Sequence, residues 1–284
     1  MTPGIWTGIY AEAPLHGAFR ALYDCGWRAF EVSTEHLVAI ETHVDSETQI
    51  EEALRCARKL GVAVRQAHGL LEADVAAPSE TEREKDIGHL LTHIKIAARL
   101  GVRVVVIHPG GKTAFTTRTQ QRRIRECNIE AFRRLGNFAA ECGLRIGIEN
   151  MMRHGAATPA DILDLLEEID HPTVGITLDT SHAHVAGLNI SDVVHELGPH
   201  LVATHISDND GSSDQHRTPS GGTIDWTAVM AALREIKYDG LFNLEIPGEH
   251  HPDPTLQQIK MRYALEVSRW LVSLADAGQN TTAP

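Results

Sequence analysis

Short β-branched apolar runs alternate with longer amphipathic stretches along the whole chain. The runs predict strands over 4–10, 29–33, 62–68, 102–108, 145–149, 174–179, 201–207 and 241–246. Some are apolar at consecutive positions, as in Val104-Val105-Val106-Ile107. Strands buried on both faces belong to parallel sheets. Between them, apolar residues recur at helical spacing over 51–60, 87–100, 128–141, 160–169, 190–197, 227–236 and 256–274. The punctuation repeats as well. Cys25-Gly26, Leu60-Gly61, Leu100-Gly101, Cys142-Gly143 and Asp239-Gly240 each precede a strand, and glycine suits the left-handed residue that ends a helix.

The unit helix–glycine–strand, repeated around eight strands, predicts an α/β chain folded as a single (β/α)8 TIM barrel over residues 1–277, with a flexible tail over 278–284. An open doubly wound sheet would carry a glycine-rich phosphate turn after its first strand. Here that run is followed by Ala11-Glu12-Ala13-Pro14.

Composition narrows the function classes. The chain has 284 residues, 26 Lys plus Arg against 38 Asp plus Glu, and a net charge of −12. That balance disfavours a nucleic-acid partner, which needs clustered cations. Cys25, Cys56, Cys127 and Cys142 are widely spaced, which suits a reducing cytoplasm. The first basic residue is Arg20, so no signal-peptide n-region is expected. No apolar run approaches a membrane span of ~18 residues. The 17 histidines are the unusual feature of an otherwise ordinary composition.

The chemistry of such a barrel lies at the carboxyl ends of its strands. Those ends carry His68, His108, Glu149, Asp179 followed by His182, His205, and Glu245. The loop after strand seven adds Asp214 and His216. A single histidine or glutamate at a strand end is usually a hydrogen-bonded or capping residue. Six successive strands each delivering one to the same rim is a different pattern. Converging carboxylates raise one another's pKa and buried imidazoles need partners, and a divalent cation removes both costs. Mixed His and carboxylate ligands suit zinc, manganese or cobalt.

These motifs resemble the xylose isomerase-like barrel superfamily, which includes sugar isomerases and epimerases of the D-tagatose 3-epimerase type, inosose-processing enzymes and the endonuclease IV family. The resemblance rests on Ile148-Glu149-Asn150, on Leu178-Asp179-Thr180-Ser181-His182, and on Asp214-Gln215-His216 followed by Gly221 to Trp226. It implies that Glu149, Asp179, His205 and Glu245 hold one metal, that Glu149 and Glu245 are the acid/base pair, and that His182 contacts substrate. The endonuclease IV branch implies up to three ions, with His68, His108, His182, Asp214 and His216 as further ligands.

The expected function is a metal-dependent isomerase or epimerase acting on a sugar, sugar phosphate or cyclitol, by proton transfer through a metal-stabilised enediolate. The alternative is a multinuclear zinc hydrolase of endonuclease IV type, acting on a small molecule in preference to DNA. Lys112, Arg217 and Trp6 are further substrate-binding candidates, as are Arg153 and His154. Tyr10 and Trp226 are candidates for an apolar wall, and Glu31 and Glu35 for a wider polar rim. Arg118, Arg122, Arg123 and Arg125 read as a solvated helical face, and His89 and His93 as surface residues. A homodimer is allowed by analogy with other such barrels.

Overall fold

The computed structural model of the protein describes residues 1–112, 117–152, 155–248 and 253–277. Its strands are β1 (Thr2–Trp6), β2 (Ala29–Val32), β3 (Ala63–His68), β4 (Val104–Ile107), β5 (Arg145–Glu149), β6 (Val174–Asp179), β7 (Leu201–His205) and β8 (Leu241–Leu244). Consecutive strands pair in parallel from β1 to β7, and β1 also pairs with β8. The seam between β7 and β8 closes through the parallel bridge Ile206–Leu244. At that seam Thr204 Oγ1 donates to the Leu241 carbonyl (2.7 Å) and accepts from Asn243 N–H (3.3 Å), supplying bonds that a longer ladder would have made.

The helices are α1 (Leu15–Asp24), α2 (Thr34–Thr42), α3 (Ser46–Leu60), α4 (Glu80–Leu100), α5 (Arg118–Glu141), α6 (Pro159–Ile169), α7 (Thr180–Val185), α8 (Ile190–Leu197), α9 (Trp226–Glu235) and α10 (Pro254–Ala277). The eight-stranded barrel predicted from the alternating pattern is therefore the fold. Apolar periodicity locates helix bodies and misses their polar first turns. α4 begins at Glu80 because Ser79 caps it, and α5 at Arg118 because Thr117 and Gln120 form a capping box. The Gly61 and Gly101 caps are left-handed, with φ of 65° and 81°.

Two differences from the sequence expectation have identifiable causes. The first strand ends at Trp6, not at residue 10, and Thr7–Tyr10 form a 3₁₀ turn. There the Trp6 ring lies over Gly8, where a β-carbon would come within 1.9 Å of it. The second concerns His93, which is fully buried and not a surface residue. Its Nε2 lies 3.1 Å from Glu41 Oε2 on α2, while the half-exposed His89 meets the other oxygen at 2.8 Å. Helical spacing showed the two rings on one face but could not show that α2 packs there.

The arginines of the first turns of α5 do form a solvated face, with Arg122 and Arg123 near Glu126 and Arg125 paired with Glu168. All four cysteines are free. Among the described residues no helix is long and apolar enough to cross a membrane. The tail 278–284 and the pair Arg153 and His154 lie outside the described residues.

Candidate active site

The strands carry their polar residues to one end of the barrel, and there the predicted side chains meet. Glu149 closes β5 and is 1% exposed. Its Oε2 lies 3.3 Å from His68 Nε2 and 3.0 Å from His108 Nε2, and its Oε1 lies 2.9 Å from His205 Nδ1. Glu245 follows β8 and brings Oε2 to 3.4 Å from the same Nδ1. Asp179 closes β6 and is fully buried. Across the rim, Asp214 Oδ2 lies 3.4 Å from His182 Nε2 and 3.0 Å from His216 Nε2.

Backbone and amide contacts hold these groups in place. Asp179 N–H donates to Asn150 Oδ1 (2.7 Å), and Asn150 Nδ2 donates to the Asp179 carbonyl (3.0 Å). Asp179 Oδ1 accepts from His182 N–H (2.8 Å), capping α7. The imidazoles are aimed the same way. His68 Nδ1 donates to the Gly69 carbonyl (2.9 Å), His182 Nδ1 to that of Asn150 (2.8 Å), and His216 Nδ1 to that of Glu245 (3.0 Å). A carbonyl only accepts, so in each ring Nδ1 carries the proton of that bond and Nε2 is the nitrogen turned to the cluster. His216 takes a φ of 43°, a left-handed backbone rare outside glycine, to reach this position.

The residues fit a divalent cation. Glu149, Asp179, His205 and Glu245 offer ligand atoms all within 4.8 Å of one another. Asp179 Oδ2 and Asp214 Oδ1 are buried without a hydrogen-bond partner, an expensive state for a carboxylate oxygen unless a cation takes the place of water. Three further groups bring their ligand atoms equally close: His68, His205 and Glu245; His68, His108 and Glu149; and Asp179, His182 and His216. Rings fixed through one nitrogen with the other aimed inward are the usual outer support of metal-binding histidines.

The local electrostatics split the carboxylates. Burial alone would raise Glu149, but the His205 and His108 imidazoles hold it well below the usual carboxylate range. For Glu245 burial wins over His205 and His216, and its carboxyl is raised. Asp179 is raised by burial too, against the pull of His182. His108 is pushed down to about 4 by burial. His182 is pushed up to about 10, as Asp179 and Asp214 outweigh its burial.

The remaining candidates stand apart. Lys112 Nζ donates to the Leu71 carbonyl (2.7 Å) and pairs with Glu72 (3.3 Å), bracing the loop after β3. Arg217 donates to the Gly221 carbonyl (3.2 Å) and to Asp210 (3.5 Å), within its own loop. Trp6 is half-buried at the end of β1, and Tyr10 is half-buried in the turn that follows. Trp226 is not a rim wall. It is buried, and its indole N–H donates to Asp208 Oδ2 (2.8 Å). Glu35 is exposed on α2, and Glu31 is fully buried beneath the rim.

Sequence reasoning passed over Asp208. Its oxygens accept from the backbone N–H groups of Asn209, Ser220 and Ile224 as well as from Trp226. It thereby folds the loop that carries Asp214 and His216. The signal available was the spacing Asp208 to Trp226, which has no meaning until the loop closes.

Comparison with known proteins agrees with this architecture. The chain is 26% identical over 248 residues to the uncharacterised protein MJ1311 of Methanocaldococcus jannaschii, covering 85% of this chain and 82% of that one. It is 26% identical over 261 residues to an L-ribulose 3-epimerase of a Methylomonas species, covering 89% and 84%. A crystal structure of D-psicose 3-epimerase in the presence of D-fructose superposes with a TM-score of 0.81 at 19% identity, over 96% of this chain and 99% of that one; at that identity it speaks for the fold alone. The family model described as xylose isomerase-like TIM barrel matches residues 19–267. With its eight parallel strands and its rim of carboxylates and imidazoles, the chain belongs to the xylose isomerase-like TIM barrel family.

Proposed function

We propose that the chain is a divalent-cation-dependent isomerase or epimerase acting on a sugar, sugar phosphate or cyclitol. The observation that carries this reading is the convergence of Glu149, Asp179, His205 and Glu245, with two carboxylates held in opposite protonation tendencies. A 3-epimerase among the relatives supports a ketose as the first substrate class to test. A cation held by those four residues would stabilise the negative charge that develops when a proton leaves the carbon next to a carbonyl.

The chain's own groups account for the proton. Glu245, raised by burial and at the open side of the cluster, is suited to hold a proton and give it to carbon from one face, while Glu149, kept ionised by its imidazoles, takes the proton from the other. Return of a proton to the opposite face of the same carbon gives epimerisation, and return to the neighbouring carbon gives isomerisation. His182 and His216, both carrying a proton donor near Asp214, can bind hydroxyl groups at the rim.

The second reading, a multinuclear zinc hydrolase acting on a small molecule, draws on the groups His68, His108 and Glu149, and Asp179, His182 and His216. Lys112 and Arg217 are both spent on loop carbonyls and carboxylates, which weighs against a phosphate ester for the hydrolase and, within the first reading, favours an unphosphorylated sugar or cyclitol. The test is solvent deuterium. An epimerase places deuterium on carbon in a ketose or inosose product, and metal analysis gives one exchangeable ion. No deuterium uptake across a panel of such substrates, with two or three zinc ions per chain, would overturn the isomerase in favour of the hydrolase.

A further inference from the structure

Beneath the cluster, inside the barrel, Glu31 is a fully buried carboxylate for which the proton chemistry has no use. It stands on β2, and three side chains from other strands converge on it. His205 Nε2 lies 3.1 and 3.0 Å from its two oxygens. Asn243 Nδ2 donates to Oε2 at 3.0 Å, and Gln66 Nε2 donates to the same oxygen. The Gln66 amide has one workable orientation, because its nitrogen also donates to the Thr204 carbonyl (3.3 Å), which has no proton to offer. With two amides already donating to its Oε2, Glu31 is placed as an acceptor toward His205 as well.

The consequence falls on His205. A proton on Nε2 answers Glu31, which leaves Nδ1 as the nitrogen facing Glu149 Oε1 and Glu245 Oε2. Without a cation, a second ring proton on Nδ1 answers Glu149 at 2.9 Å; a divalent cation would take the place of that proton between Nδ1 and the two carboxylates.

We propose that Glu31 is the positioning residue of this site: by accepting the Nε2 proton of His205, with Gln66 and Asn243 holding its carboxylate, it presents Nδ1 to a divalent cation shared with Glu149, Asp179 and Glu245. This rests on the cation-dependent reading above. The ring cannot rotate to offer Nε2 instead, since that would turn the carbon edge of the imidazole onto a buried carboxylate. Carboxylate–imidazole–metal relays of this kind fix both the tautomer and the basicity of the ligand.

The test titrates the full chain with Zn²⁺ alone and follows the imidazole ¹⁵N signals of His205. In the wild type, Nδ1 is expected to become the metal-bound nitrogen while Nε2 keeps its proton. Binding through Nε2 overturns the proposal, and this measurement needs no variant to fold. Glu31→Gln keeps the shape and removes the charge, and is expected to weaken Zn²⁺ at His205 about ten- to a hundredfold. A folded Glu31→Gln chain with wild-type affinity overturns the role of Glu31 while the cation site stands. Failure of wild-type His205 to take Zn²⁺ at all overturns the cation-dependent reading, and this proposal with it.

Discussion

Glu245→Gln separates chemistry from folding. The backbone at this position is held independently of the carboxyl: Glu245 N–H donates to the Ile206 carbonyl (3.1 Å), and its own carbonyl accepts from His216 Nδ1 (3.0 Å). The side chain is nearly isosteric with glutamine, so packing is retained. Burial raises the Glu245 carboxyl, against the pull of His205 and His216. In the cation-free chain a raised carboxylic acid favours folding at low pH, and that contribution is lost as the pH rises toward the folded value. At neutral pH the neutral amide therefore removes a penalty, and the melting temperature of the cation-free variant is expected to hold or rise. Activity should behave oppositely. A positioned acid/base group contributes about 10²–10⁴ in rate, or about 2.7–5.4 kcal/mol of barrier. The assay is kcat/KM on a ketose panel at saturating Mn²⁺, so that weaker ion binding does not mimic lost chemistry, with deuterium exchange into substrate read in parallel. Wild-type turnover would refute the assignment of Glu245. Loss of activity together with a drop of several degrees in the cation-free melt would refute the separation of its roles.

Three further outcomes follow from the same geometry. A divalent ion at a hundredfold excess over its Kd should stabilise the chain by about 2.7 kcal/mol, a rise of about 4–5 °C for a chain of 284 residues; calorimetry with Mn²⁺ or Zn²⁺ that gives the same melt as with a chelator would count against the cluster as a cation site. Asp208→Asn turns an amide N–H₂ toward backbone or indole donors that now find an acceptor, and should cost about 3 kcal/mol in urea unfolding, whereas a variant as stable as the parent would mean the loop is held by other contacts. His36 is kept below its ordinary value by burial, with Nε2 donating to the Ala13 carbonyl (3.1 Å) and Nδ1 accepting from Thr7 Oγ1 (3.0 Å) and Ser33 Oγ (3.1 Å). A depressed imidazole leaves stability intact above its unfolded value near 6.5 and loses it as the pH falls, by up to about 1.4 kcal/mol per pH unit. His36→Gln should flatten that dependence between pH 6.5 and 5, and an unchanged slope would refute the role given to His36.

Much of the site was legible because a barrel turns strand order into rim position. His68, Glu149, Asp179 and His205 each close their strand, and Glu245 follows the last residue of β8, so locating the strands located the residues that converge at the rim. Strand ends drifted by a few residues without harm, since side chains beyond the ladder still face the same rim. The errors fell where a residue's environment comes from a distant element. His93 appeared exposed because α2, which carries Glu41, has no clear apolar period and was not anticipated. Trp226 appeared to be a rim wall because nothing local pairs it with Asp208. Glu31 appeared to be another rim carboxylate, although its register on β2 aims it inward at His205.

The sequence by itself determined the fold class, the alternation that builds it and the acidic and imidazole character of one rim, because periodicity and strand-end residues are local properties of the chain. The tertiary structure alone decided which ring nitrogen each histidine aims inward, which carboxylate burial raises and which the imidazoles keep ionised, and which polar residues support the cluster from beneath. Those outcomes depend on distances between strands far apart in the chain, and on water being excluded from between them. Hydrogen-bond direction and desolvation act through space, so they exist only once the barrel has closed.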